Sequence, residues 1–162
     1  MKTEYGINIC DDVTQMQRII EPLRREKNRT LITTNGCFDL LHAGHVRYLC
    51  EAARRGDLLV VGINADETVK KLKGPQRPIQ GEKDRLLVVG SLKMVFGAFI
   101  FREDDPRVFL EVLKPDIHVK GGDYSRDILE RETVEKNGGN VEIVSYLNGY
   151  STSSIVTRIR SV

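Results

Sequence analysis

Two of the three histidines in this 162-residue chain, His42 and His45, stand three residues apart in the stretch Asn35-Gly36-Cys37-Phe38-Asp39-Leu40-Leu41-His42-Ala43-Gly44-His45. That spacing puts both side chains on one face of a helix. At a helix start, free N–H groups and the dipole favour an anion. Imidazoles placed there can donate hydrogen bonds to phosphate oxygens that gain charge during a reaction. Gly44 between them leaves room for a phosphate to approach the backbone. A zinc site would need further ligands, and the stretch offers only Cys37 and Asp39. A pair of histidines on a solvated helix face is the remaining plain reading.

Three other groups carry the same kind of chemistry. Residues 69–93 hold Lys70, Lys71, Lys73, Arg77, Lys83, Arg85 and Lys93 against only Glu82 and Asp84. The whole chain carries only +2, so this segment is basic within an otherwise slightly acidic protein. Such a balance suits a local anionic ligand and argues against a general nucleic-acid or membrane-surface binder. Arg77, between Gly74 and Pro78, is suited to hold a phosphate bidentately, whereas Arg85 reads equally well as a helix-surface charge. In Lys120-Gly121-Gly122-Asp123-Tyr124, two glycines allow close ligand approach, Asp123 can accept from sugar hydroxyls and Lys120 can meet a phosphate. A plain tight turn has the same chemistry. Ser151-Thr152-Ser153-Ser154 supplies one N-cap and more hydroxyls than capping needs, a good phosphate cradle. Tyr150 before it is given no role, and His118, in an apolar run, reads as structural.

The elements that must position these groups alternate. The pattern predicts helices over 12–27, 43–55, 82–92, 106–113, 128–136 and 151–160. Pro22 is expected to kink or shorten the first, and Gly56 to cap the second. Strands are predicted over 31–34, 58–63, 95–101, 117–119 and 141–144, and residues 66–85 read as a loop region bearing the basic cluster. Leu58 to Ile63 is nearly continuous apolar sequence, as in a strand buried on both faces of a parallel sheet. The fold class is therefore α/β, a Rossmann-like parallel sheet with helices on both faces. The three loops after strands should then open on one sheet edge, where such folds bind ligands. Residues 28–162 are read as one domain, with 1–27 a helical segment packing on it or building a dimer interface. Three cysteines without a CxxC pair, no signal-peptide core and no apolar run near the roughly 20 residues of a membrane span point to a cytoplasmic domain.

The string Asn35-Gly36-Cys37-Phe38-Asp39 leading into His42-Ala43-Gly44-His45 resembles the HxGH signature of the nucleotidyltransferase superfamily of cytidylyltransferases and adenylyltransferases. Lys70-Lys71-Leu72-Lys73-Gly74, Arg77-Pro78, Val119-Lys120-Gly121-Gly122-Asp123-Tyr124 and Ser151-Thr152-Ser153-Ser154 narrow the resemblance to the heptose 1-phosphate adenylyltransferases, from about residue 28 onward. The resemblance implies nucleotidyl transfer from ATP to a sugar 1-phosphate, D-glycero-manno-heptose 1-phosphate first, giving ADP-heptose and pyrophosphate. It implies His42, His45 and Lys73 as catalytic groups, Lys70 and Lys71 being weaker matches to the phosphate-contacting lysine. Gly36, Cys37, Phe38, Gly44, Ser151, Thr152 and Ser153 would join them around the nucleotide, with Asn35, Asp39, Arg77, Lys120, Gly122 and Asp123 around the sugar phosphate. Mg²⁺ is expected on the nucleotide phosphates rather than on protein ligands. A homodimer is expected, and a separate kinase would supply the sugar phosphate. A CTP-dependent glycerol-phosphate-type cytidylyltransferase and a non-catalytic nucleotide sensor are the competing readings.

Overall fold

The apolar run beginning at Leu58 is buried along its whole length in the computed structural model, which describes residues 6–122, 128–145, 149 and 151–161. The chain opens with β1 (Asn8–Cys10), α1 (Val13–Lys27), β2 (Leu31–Gly36), α2 (Ala43–Ala53) and β3 (Leu58–Asn64). It continues through α3 (Asp66–Lys73), α4 (Glu82–Gly90), β4 (Gly97–Phe101), α5 (Arg107–Leu113) and β5 (Ile117–Gly121). It closes with α6 (Arg131–Lys136), β6 (Asn140–Val144) and α7 (Thr152–Arg160). The six strands form one parallel sheet in the order β1-β4-β3-β2-β5-β6. This is the α/β, Rossmann-like sheet that the alternation predicts.

Side-chain alternation divides the core between the two faces of the sheet. Leu59, Val61 and Ile63 of β3 join Ala98 and Ile100 of β4 in one cluster, with Leu49 of α2 and Leu86 and Val89 of α4. Leu58 and Val60 join Phe99 and Phe101 in the other, with Met16 and Ile20 of α1 and Phe109 and Leu110 of α5. A period of two in the strands thus feeds two helical layers.

Four details differ from the sequence reading. Asn8–Cys10 is a sixth strand on the sheet edge, in register with Gly97–Phe99, so residues 8–27 contribute a strand as well as a helix. Pro22 lies inside α1 without ending it; the helix runs on to an αL cap at Asn28. Gly56 is not the C-cap of α2, which ends at Arg54. Its role is close packing, because a Cβ there would stand 2.3 Å from Ile32 Cδ1. Residues 66–73 are helix rather than loop, so Lys73 sits at the carboxyl end of α3.

The switch in strand order falls between β2 and β5. These neighbours pair only at Ile32–Ile117 and Thr33–His118, and then part. The side chain of Tyr48, from α2, enters the gap. Its hydroxyl donates to the carbonyl of Val119 at 2.9 Å and lies 2.6 Å from Thr34 Oγ1, which must therefore be the donor of that second bond. A tyrosine thus satisfies one β5 carbonyl, that of Val119, past the point where the ladder stops.

Candidate active site

The parted ends of β2 and β5 form the floor of a cleft of about 310 Å³. Asn35, Gly36, Cys37 and Phe38 line it from β2 and its loop, and His45 and Tyr48 from α2. Asn64 and Lys73 close it from the β3–α3 side, and Lys120 and Gly121 from β5. Three loops after strands therefore open on one sheet edge at the topological switch point.

His42 is the N-cap of α2, and its Nδ1 accepts from the backbone N–H of His45 at 3.4 Å. Acceptance at Nδ1 leaves the proton of neutral His42 on Nε2. The two imidazoles stack, ring centres 3.8 Å apart, with Phe38 tilted against His45 at 5.3 Å. Burial is the main force holding His42 below the usual imidazole range, with Lys73 adding to it. Burial, then His42, then Lys73 push His45 down to about 4. At neutral pH the pair is uncharged, and Lys73 is the nearby fixed cation.

Of the three lysines near the carboxyl end of α3, Lys70 pairs with Glu67 at 2.6 Å and Lys71 with Asp104 at 2.7 Å. Among the described residues Lys73 has no carboxylate partner, and it alone of the three lines the cleft. A second hollow, between Lys73, Gly74 and Arg77 on one side and Val156 and Arg160 of α7 on the other, continues from it. A third joins His42 and Ala43 to Ser151, Ser154 and Arg158. The N-terminus of α7 thus faces the start of α2.

Several residues expected at a ligand are engaged elsewhere. The Asp39 side chain is fully buried: one oxygen accepts from Arg77 at 2.5 Å, the other from the N–H groups of Ile79 and Gln80 at 2.6 and 3.2 Å. Asp39, expected at the sugar phosphate, is an internal anchor of the loop after β2 in this structure. Burial alone would raise its carboxyl, but Arg77 and the two backbone donors outweigh it and hold it below the ordinary range. Arg77 is 16% exposed and tied to that carboxylate. Gly44 is buried in a neighbouring groove with Arg47 and Val144, outside the cleft. Lys120 donates to Glu130 at 2.6 Å and approaches Asn35 Oδ1 at 3.4 Å. Gly122, at φ +126, needs to be glycine, and its N–H is bound to Val144 O. Ser151 and Ser154 form a reciprocal capping box, Thr152 is buried and Ser153 exposed. Asp123, Tyr124 and Tyr150 lie outside the described residues.

Sequence reasoning overlooked Tyr48, Asn64 and the true place of Arg85. Arg85 is fully buried; it donates to the carbonyls of Cys37, Asn64 and Gln80 and pairs with Asp66. Among the described residues no cluster of His, Cys, Asp and Glu could hold a metal ion. No helix there is long and apolar enough to cross a membrane.

Residues 33–158 match the cytidylyltransferase-like family, a stretch that contains both histidines, Lys73 and the start of α7. The chain belongs to the cytidylyltransferase-like family. This cytidylyltransferase-like chain is 43% identical over 143 residues to the bifunctional protein HldE of Syntrophotalea carbinolica, covering 88% of the chain and 29% of that relative. The HldE protein of Pectobacterium carotovorum is 42% identical over 161 residues, covering 99% of the chain and 33% of its own length. The chain thus spans about a third or less of the curated relatives it matches. Among solved structures, a lipopolysaccharide core biosynthesis protein of Thermoplasma volcanium superposes with a TM-score of 0.63 at 34% identity, over 76% of this chain and 99% of that one. A pantoate-beta-alanine ligase of Francisella tularensis shares the fold, with a TM-score of 0.61 at 17% identity over 96% and 78% of the two chains. Family membership and the nucleotidyltransferase-type fold are those that the HxGH string and the strand–helix alternation imply.

Proposed function

We propose that this domain transfers the adenylyl group of ATP to a sugar 1-phosphate, heptose 1-phosphate first, releasing pyrophosphate. The observation that carries this reading is the stacked His42–His45 pair at the switch point, whose His45 lines one cleft together with Lys73. Coverage of nearly the whole chain by relatives named bifunctional protein HldE supports it, as does the resemblance of the Lys120-Gly121-Gly122 string.

The chemistry needs no general base. A sugar phosphate is already anionic at neutral pH; one of its oxygens attacks the α-phosphorus, and the bond to the bridging oxygen breaks with its electron pair leaving on pyrophosphate. Catalysis then consists of placement and charge stabilisation. In this reading His42, its Nδ1 occupied as an acceptor, would donate from Nε2 to the α-phosphate, His45 supports it by stacking and lines the cleft itself, and Lys73 would follow the developing charge. Gly36, Cys37 and Phe38 would present backbone to the nucleotide, and Thr152 and Ser153 at the start of α7 would meet its outer phosphates. Asn35 and Lys120 in the cleft, with Gly122 next in sequence to its lining residue Gly121, would border the sugar phosphate. Mg²⁺ bound to phosphate oxygens and water would neutralise charge on the leaving group.

The test is pyrophosphate release with Mg²⁺, with ATP, CTP and GTP each set against heptose 1-phosphate and glycerol 3-phosphate. Release confined to ATP with the heptose phosphate is expected. Turnover of CTP with glycerol 3-phosphate would keep the reaction and overturn the substrate. Tight nucleotide binding with no release in any pairing would overturn the reaction.

A further inference from the structure

Lys73 and the loop after β2 belong to different elements, yet the reaction needs them fixed to one another. Two buried charged side chains span that gap. Arg85 sits in α4 with no exposed surface, and its guanidinium reaches four segments at once. It donates to Cys37 O at 2.5 Å in the loop after β2 and to Asn64 O at 2.8 Å at the end of β3. It also donates to Asp66 at 2.8 Å, where α3 begins, and to Gln80 O at 3.0 Å. From the opposite side Asp39, in the loop after β2, takes Arg77 and the N–H groups of Ile79 and Gln80, just beyond the end of α3. The helix that carries Lys73 is therefore gripped before its first turn and after its last, both times against the loop that leads into the histidines.

We infer that Asp39 and Arg85 form a clasp that sets the position of Lys73 relative to Cys37 and the histidine pair, and that Arg77 serves as its strut. Neither Asp39 nor Arg85 lines the cleft, so both are positioning residues that act through other groups. The inference rests on the proposed nucleotidyl transfer for its kinetic reading, while its structural half stands apart from that reading.

Asp39→Asn keeps an acceptor for the two backbone donors and removes the charge that holds Arg77. With the full chain, Asp39→Asn and Arg77→Gln are each expected to lower kcat tenfold or more while KM for ATP stays within threefold. The double variant should fall within threefold of the worse single one, because both break one pair. Losses that multiply would overturn the clasp and make Arg77 a substrate ligand in its own right. Arg85→Lys keeps the charge and loses the fork; it carries the test if Asp39→Asn does not fold. A readout independent of turnover is the rate at which iodoacetamide labels Cys37, against Cys50 on α2 as the internal reference. Loosening the clasp should raise Cys37 labelling at least fivefold and leave Cys50 unchanged. Equal rises at both cysteines would mean general destabilisation and overturn the inference. No turnover by the unmodified chain would defeat the proposed reaction, and the labelling ratio would still decide the clasp.

Discussion

His42 and His45 are neutral in the free protein at neutral pH because they are partly buried and close to Lys73, His45 also being pushed down by the stacked His42. A triphosphate brought among these three groups reverses the sign of the surrounding charge and raises both imidazole pKa values. Nucleotide binding is therefore expected to take up protons on the acid side of neutrality, more as pH falls toward the free His45 value of about 4. Calorimetric titration of ATP in buffers of different ionisation enthalpy measures this directly, and a proton uptake of zero at pH 5.5 would contradict it. His118 reports on stability instead. Its Nδ1 lies 2.9 Å from Thr33 Oγ1, its Nε2 is buried with no hydrogen-bond partner among the described residues, and burial, helped by Lys120, pushes it down to about 3. Below pH 6.5 the unfolded chain binds a proton at this position that the folded one refuses. Stability is thus fully present above 6.5 and lost on acidification, by up to about 1.4 kcal/mol per pH unit for each such histidine. His45 adds to the same slope in the free protein. Urea unfolding at pH 7 and pH 5 should show the loss, and His118→Phe should make it shallower; an unchanged slope would remove His118 as its source.

At the scale of elements, the seam between β2 and β5 depends on one helix side chain. Tyr48→Phe leaves the buried Val119 carbonyl and the Thr34 hydroxyl without their partner, at a cost of about 1–3 kcal/mol. The midpoint of chemical unfolding measures that loss, and a midpoint equal to that of the unmodified chain would show that water fills the role. Much of this architecture is legible in the residues. The unbroken apolar run of β3 announces a central parallel strand, the HxGH string falls after β2, and the Lys-Gly-Gly string falls at the end of β5, where the cleft lies. What escapes the eye has physical causes. Asn8–Cys10 is too short to show any period and becomes a strand only because β4 offers an open edge. Asp66–Lys73 has two buried residues among charged ones, so its polarity reads as loop. Arg85 looks like a surface charge because sequence cannot display the three carbonyls that converge on it. For the same reason the sequence does not display that Asp39 and Arg77 are each other's partner.

Across the whole molecule the cohesion of the sheet is uneven. β2 and β3 are in register from Leu31–Leu58 to Gly36–Ile63, and β3 and β4 from Val60–Gly97 to Asn64–Phe101. β5 and β6 are matched over their own full length, from Ile117–Asn140 to Gly121–Val144. Only Ile32–Ile117 and Thr33–His118 join one block to the other along the ladder. The parting that makes room for a substrate leaves two units of the sheet joined by a short ladder and by side chains that share the core clusters on either face. Of the two, β5–β6 is the unit expected to open first. Amide hydrogens of β5 and β6 should exchange with deuterium together and sooner than those of β3 and β4, and a nucleotide spanning the seam should slow them toward a common rate. Uniform protection across all these strands in the free protein would mean that the two units open as one. If they do not, a substrate of this domain also acts as a rivet: by bridging the crack it occupies, it couples the two halves of the sheet.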